Sequence, residues 1–255
     1  MRRISTALAV LGLAVLGLAA SASAAPTITF KAKAVPIPKA GGGTYPGTGN
    51  ILGAGAALQT EFTISGTEYG GYPPPLIGVK VFGPAGSKLQ TQGFATCAPN
   101  VIQEKGPSAC PKQSSAGPKG SASGVVSFGT ERVAETVAVI PFFAPGGGLE
   151  FYVNGVTPVS IEILSKGHVI TSPAPYGPTF VAEVPLIESV PGALDASAKE
   201  ISVKVGAAYK KGKKTVSYIT VPKKCPKGGF PLKAVMEFLG GSSAEATYSA
   251  PCPKK

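Results

Sequence analysis

Glycine and proline interrupt this chain so often that a long helix has little room to form. The 255 residues include 34 glycines and 25 prolines. A helix interior loses roughly 1 kcal/mol for each glycine and about 3 kcal/mol for each proline, relative to alanine. Between these breakers the apolar residues recur at every second position. Ile28, Phe30, Ala32 and Ala34 alternate with Lys31 and Lys33; Leu58, Phe62 and Ile64 alternate with Gln59, Glu61 and Thr63; Leu149, Phe151 and Val153 alternate with Glu150, Tyr152 and Asn154. A period of two is that of a strand with one face buried. Runs at 77–81, 124–128, 135–143, 159–165, 179–187, 201–205, 215–221, 232–238 and 244–249 have the same character. About a dozen short strands joined by Gly/Pro turns imply an all-β chain, an antiparallel β-sandwich with long Gly/Pro-rich loops and very little helix. The least regular part is 83–124, where one helical turn is expected at 101–105.

Residues 1–25 carry Arg2 and Arg3, an apolar run from Ala7 to Ala20, and small residues at Ala22 and Ala24. This is the layout of a secretory signal peptide, with cleavage expected after Ala24 or Ala25. The apolar run is shorter than the roughly 20 residues a membrane span requires, and no second such run follows. The expected location is therefore secreted, either extracellular or associated with the cell envelope. Cys97, Cys110, Cys225 and Cys252 would then enter an oxidising space. Four cysteines allow three pairings, and local bracketing favours Cys97–Cys110 and Cys225–Cys252. Chain-entropy reasoning assigns about 3 kcal/mol to the first loop and about 3.6 kcal/mol to the second. A zinc site is disfavoured because the close C-x₂₋₄-C spacing is missing.

Charge is distributed unevenly. Residues 26–198 hold nine lysines and Arg132 against ten acids, whereas 199–255 hold twelve lysines against Glu200, Glu237 and Glu245. The chain divides accordingly into a signal peptide (1–25), a charge-balanced β body (26–190) containing the Cys97–Cys110 loop, and a basic terminal β unit (195–255) containing Cys225–Cys252. That unit is either a separate domain or the completion of the same sandwich. Lys210, Lys211, Lys213, Lys214, Lys223, Lys224 and Lys227 are the candidate polyanion-binding residues. With a continuous strand over 215–221, the two groups would lie at its opposite ends. Arginine is absent from this segment, so bidentate reading of phosphates or bases is not expected, nor is specific nucleic-acid recognition. Lysine also suits solubility and protection of sheet edges.

Catalytic signals are sparse. His168 is the single histidine and Asp195 the single aspartate, and no G-x-S-x-G elbow is present, so a catalytic triad has few members to draw on. Neither H-E-x-x-H nor an Asp-rich calcium loop occurs, and no metal or other cofactor is expected. Paired carboxylates are available in sequence as Glu61/Glu68, Glu131/Glu135 and Glu183/Glu188, the requirement of a glycosidase. Tyr69, Tyr72 and Tyr176 lie in Gly/Pro-rich turns where an exposed ring could stack on a sugar.

Two stretches carry a resemblance. GFATCAPNVIQEKGPSACPKQSSAGPKG (93–120) contains Cys97, Gly106-Pro107, Cys110-Pro111, Ser114, Ser115 and Gly117. YITVPKKCPKGGFPLKAVMEF, followed by APCP at 250–253, contains Pro222, Cys225-Pro226, Gly229-Phe230-Pro231 and Cys252-Pro253. These resemble stretches in a set of secreted actinobacterial proteins without an assigned activity. The resemblance implies export, disulfides and a β-rich body, and brings no catalytic residues with it. The expected role is a secreted, disulfide-stabilised, non-enzymatic binding or structural protein. Its partner would be an anionic cell-wall polymer or polysaccharide held by the terminal lysines. The alternative is an extracellular carbohydrate-active enzyme using a pair of glutamates.

Overall fold

In a computed structural model, residues 25–128, 131–156, 160–186 and 196–253 are described. Residues 1–24 of the expected leader, Val159, Ile187, Glu188 and Asp195 lie outside them. The described chain is all-β, with one short helix, α1 (Pro99–Lys105), and three single 3₁₀ turns. The strands are β1 (Thr27–Val35), β2 (Gly55–Ser65), β3 (Leu76–Pro84), β4 (Lys88–Leu89), β5 (Gly120–Phe128), β6 (Glu131–Phe143), β7 (Leu149–Gly155) and β8 (Ile161–Thr171). They continue with β9 (Tyr176–Glu183), β10 (Ser197–Val205), β11 (Ala208–Lys211), β12 (Lys214–Ser217), β13 (Ile219–Thr220), β14 (Phe230–Phe238) and β15 (Ser243–Ala250).

Thirteen of these strands form one antiparallel sheet. Its order is β15-β14-β3-β9-β8-β7-β6-β5-β10-β2-β13-β4, with β1 also paired to β2. β11 and β12 form a separate hairpin. The large sheet curls until β1 and β15 lie beside each other without a hydrogen-bonded ladder, and the Phe30 and Tyr248 rings meet there edge to face. The two layers of the expected sandwich are thus opposite walls of one continuous sheet. The basic terminal segment is woven into it: β10 sits between β2 and β5, and β14 pairs with β3.

Alternation sets which face of each strand turns inward. In β14, Phe230, Leu232, Ala234, Met236 and Phe238 are buried, and the residues between them are half-buried. In β1, Ile28, Phe30 and Ala32 alternate with exposed neighbours. These side chains and Phe62, Ile64 and Leu76 form the main core, where full burial of each large apolar side chain contributes about 1.5–3 kcal/mol. A bulge between Ala198 and Glu200 shifts β10 against β5, accommodating the tight curvature there.

The expected 215–221 strand is broken. β12 ends at Ser217 and β13 begins at Ile219, with Tyr218 between them 2% exposed. The reason lies upstream at Gly206, whose φ of 150° and close approach to Ala57 exclude a side chain. There the chain leaves β10, forms the β11–β12 hairpin, and returns through Tyr218 to pair with the start of β2.

Candidate functional site: a basic end of the sheet

Strand direction determines where the loops emerge. Because all the ladders are antiparallel, the segments 36–54, 85–119, 144–148, 172–175, 206–229 and 251–253 leave the sheet at the same end. They carry twelve lysines and a single acid, Glu104. The seven candidates Lys210, Lys211, Lys213, Lys214, Lys223, Lys224 and Lys227 are all exposed on these segments, as are Lys39, Lys88, Lys105, Lys112 and Lys119. Because 215–221 is not one strand, Lys210, Lys211, Lys213 and Lys214 belong to the β11–β12 hairpin while Lys223, Lys224 and Lys227 follow β13; both segments emerge from this end. Among the described residues the ion pairs are Lys80–Glu237 and Lys233–Glu245, both within strands, so none of the twelve is neutralised by one. Lys210 donates to Thr215 Oγ1 across the hairpin at 2.8 Å.

Two disulfides brace this end. Cys225–Cys252, with Cα atoms 6.0 Å apart, ties the loop bearing Lys223, Lys224 and Lys227 to the segment just beyond β15. Cys97–Cys110, 5.3 Å between Cα atoms, closes the loop holding α1. Both pairings are those favoured by local bracketing. α1 starts with Pro99, where a missing N–H costs nothing, and carries Ile102 down onto the outer face of the sheet. Phe142, Tyr152 and Leu164 from β6, β7 and β8 receive it.

The remaining candidates are dispersed. His168 is exposed on β8 opposite Val181, and Asp195 lies outside the described residues. No cluster of metal-ligating residues occurs among the described ones. Glu61 and Glu131 are exposed on β2 and β6, Glu183 is exposed at the end of β9, and Glu68 is in the turn after β2. The buried carboxyls are Glu135 and Glu150, 5% and 2% exposed. Glu135 lines the interior, whereas Glu150 pairs with Phe142 on the outer face, beneath the disulfide loop. They lie on opposite sides of one sheet and do not share a cleft. Tyr69 and Tyr72 face each other in a bridge at the opposite end, with the Arg132 guanidinium 5.4 and 5.8 Å from their ring centres. Tyr176 packs against Phe82. Each of these rings therefore has an intramolecular partner.

One feature escaped the sequence: a cavity of about 350 Å³ between the walls of the sheet. Its signal was the small size of inward residues such as Ala32, Ala34, Ala122, Gly124 and Ala182, together with the absence of tryptophan. Compared with known proteins, the chain matches no family model, no curated protein and no solved structure.

Proposed function

We propose that this is an exported, non-enzymatic binding protein that holds an anionic polymer, such as a cell-wall polymer or acidic polysaccharide, against its basic end. The observation that carries the reading is the gathering of twelve exposed lysines and one glutamate on the loops of a single end of the sheet. Lysine is a hydrated point charge on a flexible stem, without the planar fork of arginine. Such a surface responds to charge density rather than to the detailed shape of an anion. Its attraction is long-ranged at low salt and falls off with a Debye length of about 8 Å at physiological ionic strength. The disulfides support the reading for an oxidising compartment, as does the leader-like N-terminal segment. No helix among the described residues is long and apolar enough to cross a membrane.

A second reading, an anionic bilayer surface, is favoured by one observation. Ile51 and Leu52 are 48% and 41% exposed in a loop at the basic end, and Gly53 beside them donates to the Pro222 carbonyl, next to Lys223. Lysines flanking an exposed apolar tip suit an anionic interface. Co-sedimentation separates the two. Binding to purified anionic wall polymer and not to vesicles of anionic phospholipid supports the first reading; the reverse, lost on Leu52→Ser, supports the second. Binding to neither overturns both.

A further inference from the structure

The interior cavity has the properties of a ligand site. Well-packed interiors leave few voids larger than a water molecule, whereas small-molecule sites begin at roughly 300 Å³; this cavity measures about 350 Å³. Leu58, Val79, Val137, Phe151, Ile163 and Phe180 line it from six different strands. The lining continues to Leu186, which is 47% exposed just beyond β9, at the end away from the lysines.

Two hydroxyls in this lining lack a partner. Tyr218 is 2% exposed and Ser197 1%, and neither Tyr218 Oη nor Ser197 Oγ makes a hydrogen bond. A buried polar group without a partner is rare and calls for an explanation. Tyr218 is held by the rings of Phe143, 4.9 Å away, and Phe94, 6.0 Å away, at the basic end of the cavity. Burial pushes its phenol up to about 12, so it remains a proton donor at any physiological pH. No buried lysine or arginine lines the cavity, since Lys33 is exposed, while the buried carboxyl of Glu135 does. An anionic head group would therefore enter without compensation. A neutral oxygen would not need it.

We propose that the cavity binds a neutral lipid-like molecule, an aliphatic chain ending in a hydroxyl or carbonyl oxygen, and that this oxygen accepts a hydrogen bond from Tyr218. The site is independent of the lysine-bearing surface.

The test is a fluorescence titration of the full-length protein with N-phenyl-1-naphthylamine, a neutral apolar probe without an oxygen, followed by competition with 1-dodecanol and with dodecanoate. The expected result is saturable uptake at one probe per chain, displacement by dodecanol, and competition by dodecanoate at least about tenfold weaker. Tyr218→Phe, which removes only the hydroxyl, weakens dodecanol competition roughly fivefold, the worth of one hydrogen bond, and leaves probe affinity unchanged. Ala122→Trp combined with Ala182→Trp, which puts two large rings into the cavity from β5 and β9, abolishes uptake. Gln at the seven lysines of 210–227 leaves uptake intact. Absence of saturable uptake by the unmodified protein overturns the site. So does uptake that persists in the Ala122→Trp, Ala182→Trp variant with an unchanged circular dichroism spectrum. Dodecanol competition unaffected by Tyr218→Phe overturns the assignment of the polar end, whether or not the Ala122→Trp, Ala182→Trp variant folds.

Discussion

Glu150 illustrates how an alternating pattern is right about facing and wrong about exposure. It alternates with Leu149, Phe151 and Val153, which line the cavity, and a half-buried strand would leave it in water. It is instead 2% exposed beneath the Cys97–Cys110 loop, and its Oε2 has no hydrogen-bond partner. Burial pushes its carboxyl above the ordinary 4.5, and Lys166 on the neighbouring strand opposes that only in part. The folded chain thus binds this proton more tightly than the unfolded chain does. Stability from this group is fully present below about 4.5 and is lost as pH rises through the folded value. Glu150→Gln removes the buried charge at nearly constant shape. The variant is expected to be more stable than the parent at pH 7, with the gap closing towards pH 4. Thermal melts of both proteins across that range check this, and a gap independent of pH would contradict it. Tyr218 carries the same lesson on the inner face, because nothing in YKKGKKTVSYITV marks one tyrosine as buried between two strands.

Most elements were legible because their alternation is local. β1, β2, β7 and β14 fall where period-two runs predict strands, and the turn expected at 101–105 is the last part of α1. The departures have physical causes. β8 extends to Thr171 and β9 starts at Tyr176, although Gly167 and Pro178 lie within them. Gly167 is tolerated because the Phe180 ring occupies the space a side chain would take. The loop at 97–110 has no period of its own, so its place on the outside of β6, β7 and β8 followed from nothing nearby. Closing it restricts the unfolded chain, which on chain-entropy grounds is worth about 3 kcal/mol. The paired change Cys97→Ala and Cys110→Ala is expected to lower the unfolding free energy by that order, read from the urea midpoint. A shift below about 0.5 kcal/mol would mean that the packing of Ile102 on Phe142 and Leu164, rather than the covalent closure, holds the loop in place.

At the scale of the molecule, sequence showed the charge excess but not its geometry. Counting along the chain, 26–198 is balanced and 199–255 is basic. Counting by position in the fold, the early lysines 39, 88, 105, 112 and 119 lie on segments that leave the sheet at the same end as the later ones. Glu68, Glu131, Glu183, Glu200, Glu237 and Glu245 sit at or toward the other. A balanced segment thus becomes part of a polarised molecule, because antiparallel strands sort alternate loops to opposite ends, an ordering that only strand pairing reveals. The cavity was hidden for a related reason: each inward residue is unremarkable alone, and only the closure of the sheet shows that together they fail to fill the space.

The most direct measurement is retention on an anionic polymer matrix across a salt gradient. It would compare the parent protein with one variant carrying Gln at the seven lysines of 210–227 and another carrying Gln at Lys39, Lys88, Lys105, Lys112 and Lys119. A basic end built by the fold predicts that both variants elute at clearly lower salt than the parent, the seven-residue change having the larger effect, with retention of the parent falling steeply as salt rises. Lys80→Gln, within the sheet and paired to Glu237, should elute with the parent. Elution of the five-residue variant with the parent would contradict a single basic end, and equal elution of all four proteins would contradict binding through it altogether.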